Sequence, residues 1–193
     1  FSPSMPLGID TVKKLRKITN MEFDVHIMSM NNELFINEML DIGAESITFH
    51  YESSFHTDRL INLVKRSGAK VGVALNPATS LSVLDYILPQ CDSILLMLIN
   101  PGFATDKGEK QVSYADKKVK DLSELIRKNN LDVKIQVDGR VSLETIPKLV
   151  SAGADSLVVG STSLFIPGNT ISENKKLLDI SISEGLKGGN FNG

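Results

Sequence analysis

Val133-Lys134-Ile135-Gln136-Val137-Asp138-Gly139 alternates apolar and polar side chains along its length and stops on glycine. A strand covered on both faces of an open parallel sheet reads apolar nearly throughout, so a polar face here needs another explanation. The same alternation recurs at 24–28, where Asp24, His26 and Met28 oppose Val25 and Ile27. It recurs again at 46–52, where Thr48, His50 and Glu52 oppose Ile47, Phe49 and Tyr51. Polar residues on one face of several strands suit the interior of a closed parallel barrel, whose site lies at the carboxyl-terminal rim.

Working outward, strand-type runs at 23–28, 46–52, 70–76, 93–100, 133–139 and 155–161 alternate with amphipathic stretches. Helices are predicted over 8–19, 32–42, 57–67, 81–88, 114–129 and 142–152. Within them Leu60, Leu63 and Val64, or Leu122, Leu125 and Ile126, fall at i, i+3, i+4, marking one buried face. Gly43-Ala44, Gly68-Ala69 and Gly153-Ala154 stand at successive helix-to-strand joints, where glycine ends a helix. The repeat reads as βα units in one domain over 1–184, followed by a flexible Gly/Asn-rich tail over 185–193. No G-x-G-x-x-G or Walker sequence occurs, which argues against a doubly wound nucleotide fold. The chain opens on a helix and holds six strands, so an eight-stranded barrel requires a β-α-β segment ahead of Phe1.

Of the 193 residues, 41% are hydrophobic and 23% charged, and the net charge is −2. No basic footprint for nucleic acid is evident, no secretory signal is visible in FSPSMPLG, and the apolar run 94–99 is far too short to span a bilayer. Cys91 is the single cysteine, which excludes an intrachain disulfide and any multi-cysteine zinc site. A soluble, cytoplasmic domain is expected.

Glycines end three consecutive strands: Gly102 in NPGF, Gly139 in VDGR and Gly160 in VVGS. Glycine lets backbone N–H groups approach an anion, and the last strands of such barrels often cradle a phosphate. Ser161 adds a hydroxyl, and residues 163–166 are read as opening a short helix. An imidazole and a carboxylate converging at the rim, His26 and Asp138, are candidate ligands of a divalent cation, and Asp138 can also move a proton. His50 and Glu52 form a second polar couple, either supporting those ligands or a hydrogen-bonded core pair. His56 reads as solvated, Met28 and Met97 as apolar filler, and Lys134 and Gln136 as structural polar residues lower in the barrel.

The strings DVHIM (24–28), ITFHYE (47–52), VGVALNPAT (71–79), LLMLINPGF (95–103), VDG (137–139) and AGADSLVVGS (152–161) resemble the ribulose-phosphate 3-epimerase family, in that family's order. VVGSTSLF is also similar to the last phosphate loop of its allulose-6-phosphate members. The resemblance implies an α/β (β/α)8 TIM barrel of the ribulose-phosphate-binding type, with the first two strands missing from this sequence. It implies a divalent metal, zinc foremost with iron, manganese or cobalt as alternatives, and inversion of C3 of a ketose phosphate by two bases. On the family pattern His26 matches a metal ligand, Asp138 a ligand that is also acid and base, and Met28 and Met97 site-lining methionines. Gly102, Gly139, Gly160 and Ser161 match phosphate-loop positions, and His26 is also placed against the substrate. The family's other His-x-Asp pair, with the second base, belongs to a strand that precedes a stretch FSPSMPLG resembles.

Two departures stand out. Ala104-Thr105 replaces the family's Gly-Gly after NPGF, and Arg140 replaces the second glycine after VDG. Arg140 either binds phosphate through its guanidinium or blocks the backbone approach. The implied partner is a small ketose phosphate, with neither nucleic acid nor membrane, in a chain that can form a homo-oligomer. The alternative is a non-catalytic sugar-phosphate-binding relative. A decarboxylase is disfavoured by the absence of Asp-x-Lys-x-x-Asp, and a Schiff-base aldolase by the depth expected of Lys134.

Overall fold

The computed structural model describes residues 7–106 and 108–188. Six parallel strands hydrogen-bond in sequence order: β1 (Asp24–Ile27), β2 (Ser46–His50), β3 (Lys70–Leu75), β4 (Ser93–Met97), β5 (Lys134–Asp138) and β6 (Ser156–Leu157). The helices are α1 (Ile9–Ile18), α2 (Asn32–Ile42), α3 (Thr57–Arg66), α4 (Ala115–Lys128), α5 (Ile146–Ser151) and α6 (Ile171–Gly188). The sheet is curled into a half-barrel. Its curvature is shown by Gln136 Nε2 on β5, which donates to Asp24 Oδ2 on β1 at 2.8 Å across the interior.

Alternation divides the apolar residues into two clusters. The large one lies outside the sheet, where Ile47, Phe49, Val71, Val73, Ile94, Leu96, Ile135 and Val137 meet the helices through Ile36, Ile61, Val64, Val119 and Leu122. The small one lies inside and consists of Ala74, Leu95 and Met97 with Met28 packed on it. Gly72 belongs to the inner face. A Cβ there would stand 2.2 Å from Thr48 Oγ1 and 2.8 Å from Ser93 Oγ, so only glycine lets those strands approach.

Several predicted bounds move. The helix expected over 81–88 is two short 3₁₀ turns, Leu81–Leu84 and Leu88–Gln90, the second with Pro89 in its opening positions, where a missing N–H is tolerated. The last strand is confined to Ser156–Leu157, flanked by ladder bonds from Asp155 N to Ile135 O at 2.9 Å and from Val158 N to Val137 O at 3.0 Å. Residues 163–166 form no helix. The amides of Ser163, Leu164 and Phe165 all turn back onto Gly160 O. Lys134 is no interior residue: its side chain is 61% exposed and pairs with Asp132 at the opposite end of the barrel. Gln136 is interior, as expected. Among the described residues no helix is long and apolar enough to cross a membrane. Cys91 is buried, which pushes its thiol up to about 12 and leaves it unreactive.

The sequence reading missed α6 altogether, and this helix runs four residues into the segment expected as tail; residues 189–193 lie outside the described residues. Gly185 is buried against α5, and a Cβ there would meet Val150 Cβ at 2.7 Å and Pro147 O at 2.8 Å. Glycine to alanine in an open helix gains about 1 kcal/mol, whereas overpacking against fixed backbone costs about 1–3 kcal/mol. Gly185→Ala is therefore expected to lower stability in a urea titration. A neutral or stabilising result would place residue 185 in a frayed end.

Candidate active site

The polar inner face ends in a chain of four groups. His26 on β1 and Asp138 at the end of β5 face each other, with Nδ1 and Oδ2 3.6 Å apart and side chains 17% and 22% exposed. On its other edge His26 Nε2 lies 2.9 Å from His50 Nε2, the rings inclined by only 23°. His50, fully buried at the end of β2, sets its Nδ1 3.2 Å from Glu52 Oε2. Glu52 sits in the single 3₁₀ turn after β2, and its other oxygen accepts from the Asn76 amide at 2.7 Å and from the Thr79 hydroxyl.

These environments set the charges. Burial works against the Glu52 carboxylate, yet hydrogen bonds from His50, Thr79 and Asn76 outweigh it and hold the group below the ordinary carboxylate range. Burial pushes the His50 imidazole down, further than Glu52 can raise it. The two polar couples read separately from the sequence are thus one connected array.

Beside Asp138 a cavity of ≈ 190 Å³ is lined by Met28, Met97, Gly102, Gly139, Arg140, Gly160 and Ser161, so the expected phosphate-loop residues do converge. They are not equivalent. Gly102 and Gly139 have φ of 88° and 114°, and a Cβ on Gly139 would meet the Ile99 amide at 2.9 Å, so glycine is required at that turn. Gly160 is open around its Cα, and its amide leans on Ser163 Oγ at 3.3 Å. Arg140 is held at φ 47°, an uncommon conformation for a residue with a side chain. Its guanidinium donates to the carbonyls of Ala104 (3.2 Å) and Asp106. Gln111 Nε2 returns the tie, donating to the carbonyls of Gly139 (2.9 Å) and Arg140 (3.0 Å). Among the described residues the buried Nε of Arg140 has no hydrogen-bond partner. His56 is exposed and takes no part in the site.

The donor pair is chemically suited to a divalent cation. Ligands 2.0–2.1 Å from a tetrahedral ion stand about 3.3 Å apart, close to the His26–Asp138 separation. Among the described residues no group of three or more His, Cys, Asp or Glu is arranged so that it could hold a metal ion, so this pair supplies two positions of a coordination sphere.

A parallel barrel with a carboxylate and an imidazole at its rim, beside glycine turns, is the architecture of enzymes that handle small phosphorylated substrates. Comparison with known proteins gives the family. Residues 1–165 match the model of the ribulose-phosphate 3 epimerase family. The chain is 42% identical over 161 residues to a ribulose-phosphate 3-epimerase of Methanocaldococcus jannaschii, covering 83% of this chain and 67% of that one. It is 35% identical over 185 residues to that of Escherichia coli K12, covering 95% and 79%. The chain belongs to the ribulose-phosphate 3-epimerase family. In fold it resembles 3-hexulose-6-phosphate synthase from Salmonella typhimurium, at a TM-score of 0.64 and 19% identity over 92% of this chain and 81% of that one.

Lys118 on α4 is a rim group that the sequence reading passed over, because lysines on a charged helix look solvated. Its Nζ donates to the carbonyls of Asn76 and Pro77, both at 2.9 Å, pinning the segment that holds Glu52. Burial pushes the amine down to about 8, with Glu52 opposing in part. Below pH 8 the amine is charged folded and unfolded. Between about 8 and its ordinary 10.5 only the unfolded chain keeps the proton, so stability rises with pH in that window. The stability of wild type relative to Lys118→Met, followed by urea unfolding, is expected to increase from pH 8 to 10.5. A flat difference would show a solvated amine.

Proposed function

We propose that this protein inverts C3 of a ketose phosphate of the ribulose 5-phosphate type, in a metal-dependent two-base reaction. The observation that carries the reading is the His26–Asp138 pair facing across the rim beside the glycine-lined cavity. The relatives' names support the same substrate class.

His26 and Asp138 would hold the cation. A divalent metal bound there, zinc first among the candidates, supplies Lewis acidity to the substrate oxygens and makes the proton next to the carbonyl easier to remove. The Asp138 carboxylate takes the C3 proton; the C3–H electron pair becomes the C2–C3 double bond of an enediolate. A second acid on the opposite face then delivers a proton to C3, giving the epimer with no net gain or loss of atoms. Among the described residues nothing in the site is assigned that second part. Met28 and Met97 wall the reacting carbons with apolar surface, which excludes water from the enediolate. The Gly102, Gly139 and Gly160 turns, Ser161 and Arg140 face the cavity in which the phosphate is received. We place this activity in carbohydrate metabolism, with the cytoplasm as the compartment expected from the sequence.

Incubation with ribulose 5-phosphate in D₂O is expected to incorporate deuterium at C3 and form the epimer, with allulose 6-phosphate as the comparison substrate. Asp138→Asn is expected to lower kcat by about 10²–10⁴-fold, the usual share of a positioned acid or base. Chelation should abolish turnover and zinc should restore it. Absence of C3 exchange in folded, zinc-supplemented protein would favour the binding-only alternative. If Arg140 contacts phosphate, its charge-assisted bonds are worth about 1.5–3 kcal/mol, or roughly 10–150-fold. Arg140→Gly is then expected to raise KM at least tenfold with kcat little changed. An unchanged KM would make Arg140 a clasp for the preceding loop and nothing more.

A further inference from the structure

We infer that Lys118 is a site of covalent modification, an amine lining a second cleft where it takes the acyl group of a small acyl phosphate. The helix supplies the placement. Ala115, Val119, Leu122 and Ile126 form the buried stripe of α4, and Lys118 stands three residues after Ala115 and four before Leu122, on the flank of that stripe. Lys117, one position back, turns to solvent and pairs with Asp121 at 2.6 Å. The cleft beside them, of ≈ 540 Å³, is closed on its other side by residues 77–81. It shares no lining residue with the cavity beside Asp138. The Lys117 ammonium and the Ser80 hydroxyl line it and suit a phosphate leaving group, while the acidic lining residue, Asp121, is already held by Lys117.

The partners of the amine set it apart from its neighbours. Lys13, Lys117 and Lys134 each hold a carboxylate at 2.6–3.0 Å, and that bond raises each amine above its ordinary range. Lys118 has no such ion pair among the described residues. It donates to two neutral groups, the carbonyls of Asn76 and Pro77, both at 2.9 Å. A neutral amine keeps two N–H groups, enough for both carbonyls, so loss of the third proton breaks neither bond. The segment 76–81 brings no ionisable side chain. The charged groups near the amine are Glu52, from the turn after β2, and on α4 itself the mutually paired Lys117 and Asp121. Burial outweighs Glu52 and brings Lys118 down to about 8. Near pH 8 about half of it is then the nucleophilic free base, against less than about 1% for a lysine of ordinary pKa.

In the reaction Nζ attacks the acyl carbon. The C–N bond forms, the C–O bond to phosphate breaks with its electron pair leaving on phosphate, and the amine proton passes to water. The product is an uncharged amide with a single N–H. It can hold one of the two carbonyls but not both, so the Asn76–Pro77 segment loses a tie. That segment supplies the Asn76 amide bound to Glu52, so acylation is felt at the rim although Lys118 touches no reacting group.

Acetyl phosphate is the probe. The full chain is treated with it across the pH range, and acetylation at each lysine is followed by peptide mass spectrometry. At pH 8 Lys118 is expected to react about tenfold or more faster than Lys117, the free-base fractions differing by more than that. Its rate should level off above pH 8 while that of Lys117 keeps climbing, and in urea-unfolded chain the two rates should converge. Treated wild type is expected to lose more stability in a urea titration than equally treated Lys118→Arg, which keeps charge and donors but takes no acyl group. Folded wild type in which Lys118 reacts no faster than Lys117, or with a rate still climbing well above pH 8, overturns the inference whether or not the variant folds. Equal losses in the two treated proteins overturn the effect on the rim. None of these readouts requires turnover, so they stand or fall apart from the epimerase reading.

Discussion

The hydrogen bond from Gln136 to Asp24 spans the interior of the curled sheet, and the geometry of the rim depends on the closure it represents. β1 and β5 are separated by three strands along the ladder, yet their inner faces meet. His26 lies two residues beyond Asp24, and Asp138 two residues beyond Gln136. With inner-face side chains repeating every second residue, about 6.6–6.8 Å along each strand, one cross-barrel contact sets the next. The imidazole and carboxylate therefore meet because the pair beneath them meets. A flat sheet of the same strands would hold the same residues too far apart to act together.

That closure imposes a cost on the interior. Parallel barrels usually fill with bulky aliphatic layers. Here the fully apolar inner cluster is small, and polar Thr48, His50 and Gln136 take much of the remaining space. A buried polar group left without a partner loses about 1–3 kcal/mol, so each must be bonded or tolerated. Glu52, His50, Gln136 and Asp24 are bonded among themselves and to the backbone. The Thr48 hydroxyl is the exception within the barrel, buried with no hydrogen-bond partner among the described residues, while Gly72 beside it gives up a side chain altogether. The apolar stability of the fold resides outside the sheet, against the helices, which leaves the inner face to be polar.

Sequence alone carried much of this, for a definite reason. Period-two alternation is a local property, so the inward positions of His26, His50, Gln136 and Asp138 could be read from each strand separately, whereas Glu52, read as the end of its strand, reaches the site from the 3₁₀ turn that follows β2. Contacts between strands were not local. Nothing within 46–52 announces that His50 meets His26, and the array stayed as two couples until the curl joined them. Lys134 obeys the alternation but lies at the first residue of its strand, where the side chain escapes to solvent. α6 was missed because its mixed polar and apolar positions leave no clean stripe; Asn174, Ser181 and Gly185 are among its buried residues. Pattern also failed at 81–88, where apolar residues at helical spacing serve two brief turns, the second of them containing Pro89.

Arg140 shows where a resemblance and a physical reading part. A glycine after VDG offers a bare backbone to an anion and adopts positive φ without cost. An arginine at φ 47° accepts the strain of that conformation, commonly about 1–2 kcal/mol, and needs a return on it. The return visible in the fold is a reciprocal tie: the guanidinium holds the carbonyls of Ala104 and Asp106, and Gln111 holds those of Gly139 and Arg140. Two turns that each require glycine for their backbone path are thereby locked to one another by side chains. Where the family pattern has flexible glycines, this chain has a cross-braced wall with a buried guanidinium nitrogen still unpaired. The single positive charge that takes the place of a bare backbone is therefore fixed by the loop that holds its guanidinium.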